Sequence, residues 1–324
     1  FDMMLLKNKL SVTADYFVYK RSDILLQRNA SIPTTAGFTP PRENIGKTSN
    51  RGFDFGISYN NRAGALTYQL GLNGGYQRNR IDFWDEPEGR PDYQKSTGYP
   101  IGSGLIYKAI GIFRDAASVE KYAHWKNARA GDVIFEDVNG DGEIDGKDQI
   151  RITKSNIPRF TGGFTAGLQF KGFDATVLVQ AAAGAVRYVS TESGEIGNFA
   201  QEFADNRWTA ANPDAKGPRT FNRSNEYWMA NTNSYFLSKS DYVRLKNIEL
   251  GYNLPASLLG KASIQNVRIY VNAFNLLTYS PDFKLFDPEQ TGGDSNNPTG
   301  GDVSTSGQGY PLQKIINGGI SITF

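Results

Sequence analysis

The densest set of oxygen ligands in the chain is Asp137-x-Asn139-x-Asp141-Gly142-Glu143-Ile144-Asp145, closed by Asp148. Calcium takes about six to eight oxygens, and a short loop of this spacing can wrap them around the ion. Asp137, Asn139 and Asp141 fall at loop positions that present side-chain oxygens, and Gly142 permits the sharp turn. The Glu143 carbonyl would supply a backbone ligand, and Asp145 could act through water. Asp148 stands where glutamate usually closes such a site from both oxygens, so closure needs a nearer approach. Clear flanking helices are missing, so the expectation is a calcium loop without its usual helix pair. The plainer alternative is an acidic, glycine-rich surface turn.

Other chemistries have thinner support. His124 is the sole histidine, in Ala123-His124-Trp125, and no G-x-S-x-G elbow supplies a serine for it to activate. No Walker or dinucleotide glycine loop occurs. With no cysteine, disulfides, thiolate metal sites and cysteine nucleophiles are excluded together. The expectation is a protein that is not an enzyme. Trp84, Trp125, Trp208, Tyr227 and Trp228 fall between regular segments, where aromatic rings can stack on sugars or peptide side chains. Arg207-Trp208, with Tyr227 and Trp228, is the candidate region for contact with a substrate or a covering partner. The same rings could equally fill the core of packed loops.

The elements that must carry these residues are strands. Only 39% of the 324 residues are apolar, yet aromatics reach 13%, with 17 Tyr, 20 Phe and 35 Gly. No stretch of about 18 apolar residues offers a membrane-spanning helix, whereas barrel strands need only about 9–11 residues of alternating polarity. A net charge of +2, with scattered basic residues, gives no reason to expect a nucleic-acid partner.

Period-2 alternation recurs throughout. Phe53, Phe55, Ile57 and Tyr59 alternate with Asp54, Gly56, Ser58 and Asn60. Leu66, Tyr68, Leu70 and Leu72 do so with Thr67, Gln69, Gly71 and Asn73. Near the end, Ile316, Ile320, Ile322 and Phe324 oppose Asn317, Gly319, Ser321 and Thr323. A soluble sandwich would favour Lys and Glu on its wet face; the small polar residues here suit a crowded lumen, with the apolar face turned to lipid. Tyr16, Tyr59, Tyr76, Tyr252 and Tyr279 near strand ends suit interfacial girdles.

The pattern predicts nine strands near 1–7, 9–19, 51–60, 65–78, 159–171, 172–183, 241–254, 266–279 and 312–324. Links at 8, 61–64, 171–172 and 255–265 are short, and those at 20–50, 79–158, 184–240 and 280–311 are long. Such alternation is what an outer-membrane barrel requires, with periplasmic turns on one side and extracellular loops on the other. The fold class expected is therefore all-β, an antiparallel transmembrane barrel in part, with its C-terminus on the periplasmic side. The odd strand number points to a portion of a larger barrel, since single-chain bacterial barrels have even counts.

Several segments resemble one family, the SusC/RagA-type TonB-dependent transporters of the Bacteroidetes outer membrane. Phe1-Asp2 through Asn8-Lys9-Leu10 and Asp15-Tyr16-Phe17-Val18-Tyr19-Lys20 are similar to its "GFD…NRL…DYY.K" strand pair. Asn50-Arg51-Gly52-Phe53-Asp54 resembles its "N.G.E" start, with Asp54 in the place of Glu. Gly131-Asp132-Val133 through Asp141-Gly142 resembles its most recognisable loop. Val243-Arg244-Leu245-Lys246-Asn247 through Leu250-Gly251-Tyr252 and Pro255 resembles "LRLKN..LGY.LP". Asn275-Leu276-Leu277-Thr278 and Asp287-Pro288-Glu289 resemble "NLLT…DPE". Phe324, with Ile322 and Ile320 alternating behind it, resembles the signal by which such barrels are recognised for assembly.

The resemblance covers nearly the whole chain, with its pieces in family order. It implies TonB-dependent import of oligosaccharides or peptides, driven by the TonB complex and covered by a SusD-like lipoprotein. Because plug, TonB box and N-terminal signal find no counterpart, residues 1–324 are expected to be the C-terminal part of such a barrel. Two other functions fit less of the pattern: a siderophore or cobalamin receptor, and a secreted calcium-binding β-sandwich adhesin or carbohydrate-binding module.

Overall fold

A computed structural model describes residues 1–28, 40–189, 200–220, 227–259, 264–289 and 312–324. Its strands, in chain order, are β1 (Asp2–Leu5), β2 (Leu10–Gln27), β3 (Arg42–Ala63), β4 (Leu66–Phe83), β5 (Leu105–Tyr107), β6 (Ala109–Ile112), β7 (Val133–Phe135), β8 (Gln149–Arg151), β9 (Phe160–Phe170), β10 (Phe173–Ala183), β11 (Val186–Tyr188), β12 (Leu237–Lys239), β13 (Tyr242–Asn253), β14 (Asn266–Tyr279) and β15 (Ile315–Thr323). Nine form one antiparallel sheet in the order β1-β2-β3-β4-β9-β10-β13-β14-β15. The others pair only in twos, β5 with β8, β6 with β7 and β11 with β12. The described helices are short, the longest being α1 (Ala116–Lys121) and α2 (Gln201–Asn206), with α3 (Tyr227–Ala230) and α4 (Ala256–Leu259) shorter still. No described helix is long and apolar enough to cross a membrane.

Register aligns the alternating residues into continuous rows. Tyr16, Phe53, Tyr76 and Phe160 are successive cross-strand partners, as are Leu66, Phe170, Phe173, Tyr252, Ile269 and Ile320. Between them lie rows such as Val12, Ile57, Leu72, Phe164 and Val179. This face is open: Tyr16 is 72% exposed, Leu250 54% and Ile316 69%. The stretch of β4 from Leu66 to Tyr76, at about 3.4 Å per residue and tilted near 45°, rises roughly 24 Å, the height of a barrel's lipid-facing band. No second sheet covers it among the described residues, which sets the β-sandwich reading aside.

The opposite face carries Gly, Thr, Asn, Gln and a few charges. Its glycines make room for long side chains from neighbouring strands: a Cβ on Gly251 would collide with the Arg268 guanidinium, and one on Gly319 with the Tyr270 ring. Alanine at either position would push polar groups out of register.

The nine expected strands are present, with three differences. First, β2 and β3 run on to Gln27 and from Arg42, so a link expected at 20–50 narrows to 28–41. Polar Lys20 to Asp23 and Lys47 to Asn50 break the alternation there, yet the two strands stay paired past a bulge at Asp23, whose φ is 59°. Second, β4 extends to Phe83. Third, the short strand pairs inside the long links are too brief to show a period. The remaining short links are 6–9, 64–65, 171–172 and 254–265, and the remaining long ones 84–159, 184–241 and 280–314. At the tightest, Lys171 and Gly172 take φ of 47° and 88°, the paired left-handed conformations that suit a two-residue hairpin.

Candidate functional site

The polar face, the packed long links and the acidic loop hold the residues able to bind something. On the polar face, Arg268 of β14 bonds Asp174 of β10 through Nε at 3.1 Å and Glu249 of β13 through Nη2 at 2.6 Å. Asn272 Nδ2 donates to Glu249 at 3.2 Å, and Asn317 Nδ2 donates to Asn272 Oδ1 at 3.0 Å. A polar ladder thus crosses β10, β13, β14 and β15, with Arg268 reaching two strands across to Asp174 and one strand across to Glu249.

Higher on the same face lies Arg244, 1% exposed. Its Nη2 donates to Asp287 Oδ1 at 2.7 Å, Nη1 to Glu289 Oε2 at 2.5 Å and Nε to Thr278 Oγ1 at 2.9 Å. Lys246, at a bulge in β13, donates to both Glu289 oxygens at 2.8 Å. Burial raises the Asp287 pKa, but Arg244 and the N–H groups of Glu289 and Leu312 outweigh it and hold the carboxyl below the usual aspartate range. The strand and the link after β14 are therefore latched by a buried charge cluster.

The links 84–159 and 184–241 pack into a cap with its own core. Trp125, Tyr107, Phe135 and Tyr227 stack on one another, and Trp228 stacks on Phe236. Buried at its centre, Asp132 accepts from Arg219 Nε at 2.7 Å and from Trp228 Nε1 at 3.1 Å through Oδ1, and from the Arg129 N–H at 3.0 Å through Oδ2. One carboxylate thereby joins two links far apart in sequence. Tyr107 and Tyr227 hydroxyls share a hydrogen bond of 2.8 Å. Burial, then Glu202, pushes the Tyr235 hydroxyl up to about 12.

Beside this core is a cavity of about 550 Å³ lined by Phe203, Tyr235, Phe236 and Phe283, together with Glu202, Lys216, Asp282 and Lys284. Arg187 of β11 lies near its wall, cross-strand from Ser238 and 5.9 Å from the Phe283 ring. Its guanidinium is buried and Nη1 has no hydrogen-bond partner; that burial lowers its pKa.

In the acidic loop, the carboxylates bond the loop's own backbone. Asp137 accepts from the Gly140 and Gly142 N–H groups at 2.7 and 2.9 Å, and Asp141 from Glu143 N–H at 3.1 Å. Asp148, fully buried, accepts from Val138 at 2.9 Å and Asp145 at 2.8 Å, so it ties the two ends together. Lys147 Nζ reaches Asp141 at 3.3 Å and Asp145 at 3.4 Å. The Glu143 N–H first, then Asn139 and Lys147, hold the Asp141 carboxyl below its ordinary range. Among the described residues no three acidic or histidine side chains converge on a metal-sized point. A calcium ion would take the cationic place now held by Lys147 and would need the Asn139 amide, whose Nδ2 faces Asp141 at 2.7 Å, to turn its oxygen inward.

The residues singled out from sequence divide accordingly. Trp228 is fully buried with its N–H used, so it braces the cap. Tyr227 is half-buried in the ring stack. Trp208 donates to the Arg114 carbonyl at 3.0 Å and lies half-buried over Gly131. Arg207 donates to the Ala204 carbonyl at 2.5 Å, one residue before Trp208. Both are half-buried and neither belongs to the buried ring core. His124, half-buried, has its Nδ1 2.9 Å from the Tyr122 carbonyl. Ile320, Ile322 and Phe324 share the open apolar face, Phe324 at 78% exposure. Sequence reasoning missed Asp132, Arg187, Arg244 and Arg268, because each is defined by partners on other strands or links.

Comparison with known proteins gives a consistent result. The family described as TonB dependent receptor-like, beta-barrel matches residues 1–276. TonB-dependent receptor P3 of Formosa agariphila is 30% identical, over 100% of this chain and 33% of its own length. TonB-dependent receptor P26 of the same organism is 28% identical, over 96% and 32%. The chain spans about a third of these curated relatives. Among solved structures, the RagAB peptide transporter superposes with a TM-score of 0.74 at 24% identity, over 100% of this chain and 34% of that one. The RagAB peptide importer in the "closed-closed" state gives 0.71, also at 24%.

Proposed function

The chain belongs to the TonB-dependent receptor-like β-barrel family, and we propose that it forms part of an outer-membrane importer that takes up oligosaccharides or peptides. The reading is carried by the two-faced sheet: a roughly 24 Å open apolar band on one side and a satisfied polar ladder on the other. The first suits lipid and the second a wet lumen. Long links then face the exterior and short ones the periplasm, and β15, running toward the short-link end, leaves Phe324 periplasmic. Ile320, Ile322 and Phe324 serve as the assembly signal.

The cap roofs the lumen and meets the substrate and a SusD-like lipoprotein, with Arg207, Trp208 and Tyr227 in the region proposed for that contact; Trp228, fully buried, supports that region from within and is not itself a contact. Energy comes from the TonB complex, acting through parts of the protein outside these residues. Charges of both signs beside aromatic rings in the cap cavity suit peptides better than neutral sugars, and the RagAB neighbours are themselves peptide transporters.

The test is uptake by cells whose full-length transporter gene is deleted and restored. Loss of growth on peptides or on an oligosaccharide, recovered by the gene, is expected. Loss of siderophore-bound iron uptake instead would replace the nutrient reading.

A further inference from the structure

On the lipid-facing side, the aromatic row Tyr16–Phe53–Tyr76–Phe160 is followed, toward the long-link end, by the row Val18–Arg51–Arg78 and then by Lys20–Ser49–Arg80. Each row stands about 7 Å further along the strands. Arg51 and Arg78 are direct cross-strand partners, an arrangement of like charges that destabilises a sheet unless something neutralises it. Among the described residues, no carboxylate pairs with Lys20, Arg51 or Arg78. Asp82, the one acid lining the cavity that these residues share, accepts from Ser49 Oγ at 3.0 Å and lies 3.7 Å from Arg80. The cavity encloses about 530 Å³, with Tyr99 and Ile157 in its wall.

We propose that this cavity binds the phosphate headgroup of an outer-leaflet lipid, held between Arg51 and Arg78 and flanked by Lys20 and Arg80. The inference rests on the membrane reading above. Guanidinium forks match phosphate oxygens in pairs. The site sits one step beyond the aromatic girdle, at headgroup depth, where a lipid already in the bilayer brings its charge to these arginines while its chains stay against Phe53 and Tyr16. A soluble anion would satisfy the charges without using that position.

The experiment uses full-length protein in non-ionic detergent, stripped of lipid and incubated with monophosphoryl lipid A, dioleoylglycerol or inorganic phosphate. Native mass spectrometry counts the retained ligand. Wild type should retain monophosphoryl lipid A about tenfold better than R51A/R78A, while R51K/R78K, which keeps the charge but loses the fork, falls between, and phosphate-free dioleoylglycerol is retained alike by all. R78Q alone relieves the like-charge opposition, so it should fold normally and still lose retention. Equal retention of monophosphoryl lipid A by wild type, R51A/R78A and R78Q would overturn the proposal, as would displacement of the lipid by an equal concentration of inorganic phosphate. Sedimentation with the outer membrane separates the two readings. Protein absent from that fraction sinks the importer and the lipid site together; protein present with unchanged retention sinks the lipid site alone.

Discussion

Replacing Asp132 with alanine should loosen the cap while leaving the sheet intact. Its carboxylate is 1% exposed and joins its own link, where it also accepts from Arg129, to Arg219 and Trp228 of the link 184–241. Removing one partner of a buried charge pair costs about 3–5 kcal/mol. The Arg219 side chain is 13% exposed and can recover some hydration, so about 2–4 kcal/mol is the better figure. That corresponds to roughly 30- to 900-fold more frequent opening of the cap. Hydrogen exchange on full-length protein reads this directly: peptides covering Val133–Phe135 and Tyr227–Phe236 should exchange faster, and those from β4 and β9 should not. Asp132→Asn keeps an acceptor for Trp228 but loses the charge facing Arg219, so it should fall between. A change below about fivefold, which is about 1 kcal/mol, or equal acceleration in β4, would refute Asp132 as the tie between the links.

Three more expectations follow from the same geometry. The folded Asp287 carboxyl lies below its unfolded value, so its contribution is complete above the unfolded pKa and lost as pH falls through the folded one. Pepsin should therefore cut the link after β14 much faster below the ordinary aspartate range near 4, and Arg244→Met should abolish that pH step by opening the link at all pH values. Calcium, proposed for the loop of Asp137, Asn139, Asp141, Glu143, Asp145 and Asp148, should raise the melting temperature of the cap with half-saturation around 10⁻⁴–10⁻³ M. Asp137→Asn should remove the effect; titration heats indistinguishable from buffer would leave only a self-bonded turn. Residues 1–324 made alone should aggregate without detergent, because Tyr16, Leu250 and Ile316 face outward; a monodisperse, cooperatively melting species in plain buffer would contradict that.

The sheet was legible because alternation is local. Phe53 to Tyr59 and Leu66 to Leu72 announce both faces within a few residues, and the spacing of such runs exposes the short and long links. Where strands leave the apolar band, as from Lys20 to Asp23, both faces become polar and the period vanishes, although the backbone ladder continues to Gln27. The cap was illegible for a different reason. Asp132 meets Arg219 and Trp228 across 87 and 96 residues, and no periodicity encodes such a meeting. Trp228 is a candidate for ligand stacking by its type and its place between strands, with loop-core packing as the alternative; packing against Phe236 buries it fully and decides for the second. The acidic loop was legible as spacing, but the Lys147 ammonium among its carboxylates became visible only in three dimensions.

The central claim is the sidedness of the sheet, and protease protection on intact cells tests it most directly. Full-length protein would carry one epitope tag at residue 140, in a long link, and another at residue 260, in a short one. Cleavage of the first with protection of the second is the predicted result. Equal cleavage of both, or release of the protein into the medium, would contradict the membrane-spanning account.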